Sequence, residues 1–300
     1  MKIGLIGINS VQEEKHFATI QQVLKNNLFG IFSPHTEEVH ALSKKYNISL
    51  YPSATALCQD VDAVYFANPL KPNINFAINA LKNSCHVFIE NFSDLSLDEI
   101  KQLYKLSFEA RVLLQIKQTI LFTPEFKLIK KELTNPKFVE IDYFFSKILR
   151  QQDYFYQIFN AIGIITSSIN SGIKKVNITP VRIDENILSF AFVYIEFDNG
   201  SIAKIKINNL SQDDEKLVKV YQVNDFIEVD FKKHFVCKHS LVKGHTERRE
   251  LGIFYSDPFE SEIKSFIHQS KNIKSLNISE SPEVLQDIQA AQAIINKFYF

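Results

Sequence analysis

Two rhythms of apolar residues divide the chain. Up to about residue 118, short apolar runs alternate with stretches of helical periodicity. The runs are "KIGLIG", "FGIFS", "SLYPS", "DAVYFAN", "CHVFIEN" and "VLLQIK", and the helical stretches lie near 12–28, 36–46, 72–83 and 96–109. This alternation predicts a parallel sheet with helices packed on it. Ser96 with Glu99 three residues later predicts a capping box at the start of the fourth helix.

After residue 118 the beat changes. A helix at 124–133 leads into the long β pattern "FVEIDYFFSKIL", then into an aromatic- and isoleucine-rich helix at 151–170, closed by Ser171-Gly172. Four or five strands follow, "KKVNITPVRI", "ILSFAFVYIEFDNG", "SIAKIKINNL", "KLVKVYQV" and "DFIEVDF", with Asp198-Asn199-Gly200 as a hairpin turn. Helices near 258–270 and 282–298 close the pattern. The expectation is an α/β domain over 1–118, then an α+β domain over 119–300 with an open, mostly antiparallel sheet. The apolar face of "VLQDIQAAQAII" is expected to bring the last helix back toward the first domain.

Composition narrows the function classes. The 300 residues carry 34 basic and 34 acidic side chains, so no bulk field favours nucleic acid or an anionic membrane. Cys58, Cys85 and Cys237 have neither metal nor redox spacing and read as buried thiols, and no metal site is expected. No basic-then-apolar leader and no membrane-spanning run are found, so a cytoplasmic location is the expectation.

The first strand runs into "GLIGINSVQEEKH", where a phosphate-cradling turn asks for three glycines. Gly7 supplies the first, and Asn9 and Gln12 occupy the other two positions. Asn9 tolerates left-handed backbone angles, but its side chain and that of Gln12 take up room. Glu13 and Glu14 place carboxylates where a diphosphate would sit, offset in part by Lys15 and His16.

The ordered strings "KIGLIGINS…KHF", "DVDAVYFANPLKPNINFAINALKNSCHVFIEN" and "DPFESEIKSFIHQ" resemble the Gfo/Idh/MocA family, named for glucose–fructose oxidoreductase and inositol dehydrogenase. Asp62, Ala63, Val64, Pro69, Ala77, Ala80, Leu81, His86, Val87 and Glu90 match its pattern in order and spacing. The resemblance implies a Rossmann domain, a second domain whose open sheet often mediates oligomerisation, and NAD(P)-dependent hydride transfer on sugars or related alcohols. It also implies cofactor contacts from Gly7, Asn9, Ser10, Ser33, Asn68, Pro69 and Glu90.

The resemblance breaks at the chemistry. The family's "EKP" lysine shuttles the substrate proton; here the tripeptide is Glu90-Asn91-Phe92, and an amide cannot titrate. The family's "G-x-H-x-x-D" pair falls near Ile162 and Ile165. Ser33, before Pro34, His35 and Thr36, stands where NAD-binding folds place an acid for the ribose, which favours NADP over NAD. His86 reads as structural. Lys71 and Tyr156 are candidate replacement acids, Asp153 and Tyr154 candidate neighbours, and His245, Arg248 and Arg249 a basic cluster.

Two readings stay open: a divergent NADP- or NAD-dependent oxidoreductase, and a non-catalytic protein that binds a small molecule in an interdomain cleft or serves assembly. A homo-oligomer through the second domain's sheet is expected because "SFAFVYIEF" is apolar on both faces in places.

Overall fold

The computed structural model describes the chain apart from residues 9–13, 35, 68–73, 184–187, 254, 274–281 and 300, and the side chains of 36–38. It divides into two units, one of Met1–Lys117 with Phe259–Leu285, the other of Gln118–Pro258 with Gln286–Phe300.

The first unit is built on six parallel strands: β1 (Ile3–Ile6), β2 (Leu28–Phe32), β3 (Ser49–Leu50), β4 (Ala63–Phe66), β5 (His86–Ile89) and β6 (Leu114–Ile116). Their order is β3-β2-β1-β4-β5-β6, the doubly wound arrangement that reverses direction between β1 and β4. The helices are α1 (Glu14–Leu24), α2 (Thr36–Tyr46), α3 (Ala54–Asp60), α4 (Ile74–Lys82) and α5 (Leu97–Ala110). Helix α3 has no counterpart in the apolar pattern; Ser53 caps its first turn and Leu57 and Cys58 anchor it. The capping box of α5 is present, with Ser96 and Glu99 each bonded to the other's backbone N–H.

One sheet face packs Leu5, Ile31, Tyr65 and Phe88 against Phe17 and Ile20 of α1 and Val39 and Leu42 of α2. Ile263 and Phe266 join the same core from α8 (Pro258–Lys271), with the Phe266 ring edge-on to Phe88. The element that returns to the first unit is therefore α8. The final helix α9 (Glu283–Tyr299) counts with the second unit from Gln286. Its aromatic end decides this: Phe298 packs on Tyr154, and Arg182 donates to the Phe298 carbonyl.

The second unit holds eight strands: β7 (Phe138–Phe144), β8 (Ile173–Arg182), β9 (Leu188–Phe197), β10 (Ile202–Asn208), β11 (Glu215–Tyr221), β12 (Asp225–Asp230), β13 (Phe235–Val242) and β14 (His245–Glu250). The order is β14-β13-β12-β11-β7-β10-β9-β8, antiparallel except for β10 beside β7. The turn at Asp198-Asn199-Gly200 joins β9 to β10, with Gly200 at φ +79°. Strands β13 and β14 have no counterpart in the sequence pattern; β14, "HTERRE", is exposed throughout and carries no apolar alternation.

Helix α6 (Pro124–Glu132) precedes β7, and α7 (Gln151–Ile169) follows it. Gly163 in α7 lies so close to the Gln118 amide that a Cβ would overlap it. Asn170, at φ +52°, ends the helix by donating its N–H to Thr166, two residues before the expected Gly172.

Candidate active site

Strand β1 leads into Gly7, whose φ of +106° is the left-handed geometry a tight strand-to-helix turn requires. Asn9, Ser10, Gln12 and Glu13 lie outside the described residues, as do His35, Asn68, Pro69 and Lys71. Glu14, the first residue of α1, accepts hydrogen bonds from Lys45 and from Tyr46 at 3.1 Å. Those bonds, Lys45's first, hold its carboxyl below the usual range. Its charge is thus paired with Lys45 of α2. Ser33, at the end of β2, is fully buried.

Glu90 is the centre of the described site. It follows β5, and its side chain is only 11% exposed. One carboxylate oxygen accepts from Tyr65 Oη at 2.6 Å and meets His16 Nε2 at 3.0 Å; the other pairs with Lys117 Nζ. Burial alone would raise its pKa, but the His16 hydrogen bond and the Lys117 and His16 charges outweigh it, and the net shift is downward. Tyr65 is buried and pushed well up by desolvation and the Glu90 carboxylate, so it stays a phenol that donates. The Lys117 amine also lies 4.8 Å from the centroid of the Phe259 ring, a cation–π contact that fixes it from a third side.

Lys117 was missed by the sequence reasoning, although a signal was there. It closes "VLLQIK", and in a parallel sheet residues just past the ends of neighbouring strands lie side by side. The register Ile89↔Ile116 and the Lys117 N–H bonded to Ile89 C=O at 2.8 Å put Lys117 next to Glu90.

The other expected positions separate. Asn91 accepts at Oδ1 from Ser93 N and Oγ at 3.3 and 3.0 Å, a turn-stabilising role, and Phe92 is fully buried where the family has proline. His86 Nδ1 accepts the Leu113 N–H at 2.9 Å, and burial lowers its pKa, which fits a neutral structural imidazole. Tyr156, in the second unit, is half-buried with its ring edge-on to Phe155. Ile162 and Ile165 are fully buried in packing. Asp153 pairs with Arg150, Arg249 with Glu132, and Arg248 with Glu250, so the basic cluster is largely compensated.

Among the described residues, no group of three His, Cys, Asp or Glu is placed to hold a metal ion, and no helix is long and apolar enough to cross a membrane. The described residues fit a dinucleotide: strand order, the positive φ at Gly7 and the neutralised Glu14 all suit an anion at the start of α1.

Residues 1–118 match the model of the GFO_IDH_MocA oxidoreductase family, described as an NAD-binding Rossmann fold. A UDP-N-acetylglucosamine 3-dehydrogenase of Acidithiobacillus ferrooxidans is 19% identical over 247 residues, covering 77% of this chain and 74% of that protein. A solved structure of that enzyme, GnnA, superposes with a TM-score of 0.83 at 17% identity, over 100% of this chain and 99% of the other. The dehydrogenase MviM of Clostridium difficile gives 0.79 at 17% identity, over 99% of each chain. These structural likenesses establish the fold.

Proposed function

Residues 1–118 belong to the Gfo/Idh/MocA oxidoreductase family, and from that premise we infer that the chain is an NAD(P)-dependent oxidoreductase in which Lys117, held on Glu90, does the proton work that Asn91 cannot. The observation that carries this reading is the Glu90 cluster: a lysine reaches the carboxyl end of the sheet from β6, although the family's lysine position is an amide.

When bound, the nicotinamide supplies the hydride acceptor. The chain's own residues handle the proton. Glu90, kept ionised, orients the Lys117 amine, and Tyr65 fixes the carboxylate from below. Lys117 Nζ first passes its ion-pair proton through the Glu90 carboxylate to His16, whose side chain is 38% exposed, and the free amine then takes the proton of a substrate hydroxyl. Ser33 in place of an acid near the ribose leaves room for NADP as well as NAD.

The substrate class this reading favours is an alcohol on a sugar-like ligand, in keeping with the sugar-nucleotide dehydrogenase among its relatives. Simple polyols such as inositol and glucose are expected not to turn over, because Ile162 and Ile165 replace the family's polar pair. The test is turnover of a panel that includes UDP-N-acetylglucosamine, with dinucleotide binding measured alongside. Lys117→Met should abolish turnover and spare dinucleotide affinity, while Lys71→Ala and Tyr156→Phe leave turnover intact. Turnover unaffected by Lys117→Met would end the proposal.

A second reading, a ligand-binding protein without catalysis, draws on Asn91 being committed to the Ser93 turn. Dinucleotide binding without turnover of any alcohol would favour it. Assembly belongs to the same proposal: the sheet face bearing Phe138, Tyr221 and Phe226, stacked 5.3 Å apart, is the expected contact between copies. Light scattering that shows a monomer at tens of micromolar would count against this assembly.

A further inference from the structure

The strands of the second unit alternate strictly. On one face, Val139, Ile141, Val193, Ile195, Ala203, Ile205, Ile207, Val218 and Val220 are all fully buried. Lys216 is in phase with Val218 and Val220 and breaks that run. Across the sheet it is paired with Tyr143, which is paired in turn with Ile207. A lysine at such a position ordinarily stretches to water or meets a carboxylate. Lys216 is half-buried and has no carboxylate partner among the described residues. Its amine lies over two aromatic rings instead, 4.9 Å from the Tyr143 centroid and 6.0 Å from that of Phe231.

Its neighbour carries a second unmet demand. Tyr143 is 1% exposed, and its hydroxyl has no hydrogen-bond partner among the described residues. A third lies one row further along the same face. Asn209, 8% exposed, donates its amide nitrogen to Tyr154 Oη and to the Leu188 carbonyl at 2.7 Å. A carbonyl only accepts, so the nitrogen is correctly placed and Asn209 Oδ1 is left without a donor among the described residues. Aromatic contacts connect the groups: Tyr143 to Phe145 at 6.2 Å, and Phe145 to Tyr154 at 6.3 Å.

Buried polar groups without partners are costly and uncommon, and two of them, Tyr143 Oη and Asn209 Oδ1, at the same end of the sheet face as a half-buried lysine that meets no carboxylate, call for an outside partner. The three are chemically distinct: a cation, a hydroxyl able to donate, and a carbonyl oxygen that only accepts. We propose that this end of the sheet is a binding site for a small hydroxylated anion, its carboxylate or phosphate resting on Lys216 and Tyr143 and a hydroxyl donating to Asn209 Oδ1. Burial lowers the Lys216 pKa to about 8, which is the cost of holding the amine ready without a counter-ion. An arriving anion removes that cost.

The experiment is calorimetric titration of the full chain, with no dinucleotide added, at pH 7. D-gluconate and D-glucose 6-phosphate serve as anionic probes and sorbitol as the neutral one. Saturable binding of either anion is expected, with sorbitol at least about tenfold weaker. The better of the two identifies a sugar acid or a sugar phosphate as the source, and equal binding identifies the shared chemistry. Lys216→Met should weaken the anion by about tenfold or more, and Tyr143→Phe by a smaller factor with the same ring in place. Should Lys216→Met fail to fold by circular dichroism, Tyr143→Phe and Lys216→Gln carry the test. Neither anion binding, sorbitol binding as well as gluconate, or folded variants with unchanged affinity would overturn the proposal. Because no cofactor and no turnover enter the measurement, its outcome is independent of the Lys117 reading.

Discussion

Glu90 in the first unit is a charged group taken largely out of water and Lys216 in the second a half-buried one, and the protein treats them in opposite ways. Glu90 is surrounded by Tyr65, His16 and Lys117, so its charge is matched inside the fold. Lys216 has aromatic faces and no opposite charge among the described residues. The shifts follow: the carboxyl is held below its usual range despite burial, and the amine falls to about 8 because burial acts alone. A matched charge orients its neighbours, and an unmatched one waits for a ligand.

Breaking the matched site should have the largest effect. Glu90→Ala leaves Lys117 and the Tyr65 hydroxyl without their partner and should cost about 3 kcal/mol in urea unfolding at pH 7. The contribution has a definite pH dependence. Glu90 is lowered in the folded chain, so its stabilisation is present above the ordinary value of 4.5 and lost as pH falls through the lower folded value. The difference between parent and Glu90→Ala should therefore shrink in acid. An unchanged difference at low pH would show that lost packing, not charge, dominates.

The unmatched site should respond with the opposite sign. Lys216→Met removes a buried charge and should stabilise the protein below pH 8, on the order of 2 kcal/mol after allowing for the lysine's partial exposure. Between about 8 and 10.5 the unfolded chain binds the proton that the folded one has released, so parental stability rises and the advantage of the variant disappears. A variant less stable than the parent at pH 7 would mean that Lys216 has an internal partner.

Smaller effects sharpen the contrast. Tyr65→Phe removes one hydrogen bond to a carboxylate that keeps two cationic neighbours, and should cost about 1 kcal/mol. Asn91→Lys should restore no turnover of inositol or glucose, because the loop it would replace is already organised around Ser93 and the buried Phe92. Detectable polyol dehydrogenase activity in that variant would show that only the lysine was missing.

Most of the fold was legible because long periodic segments and turn chemistry agree. The six strands of the first sheet, the Ser96 box and the Asp198-Asn199-Gly200 hairpin all sit where local chemistry puts them. Strand β14 was not legible, since an exposed edge strand of charged residues carries no apolar alternation. The placement of α8 and α9 depended on which aromatic core each meets, Phe88 for Phe266 and Tyr154 for Phe298, and helical spacing carries no such address. At the site, Glu90 stood out from its motif, but Lys117 became visible only through strand register. Lys216 was within reach, as a lysine in phase with two valines, and was passed over because one polar residue in an alternating strand is ordinarily a solvated end.

The central claim is that the Rossmann unit still serves a nicotinamide dinucleotide despite Asn9 and Gln12. The direct measurement is thermal unfolding of the full chain with increasing NADP or NAD, checked by calorimetric titration. Saturable binding is predicted for at least one of them, with stabilisation reaching about 2.7 kcal/mol at one hundred times the dissociation constant. No shift and no heat with either dinucleotide at millimolar concentration would contradict the account.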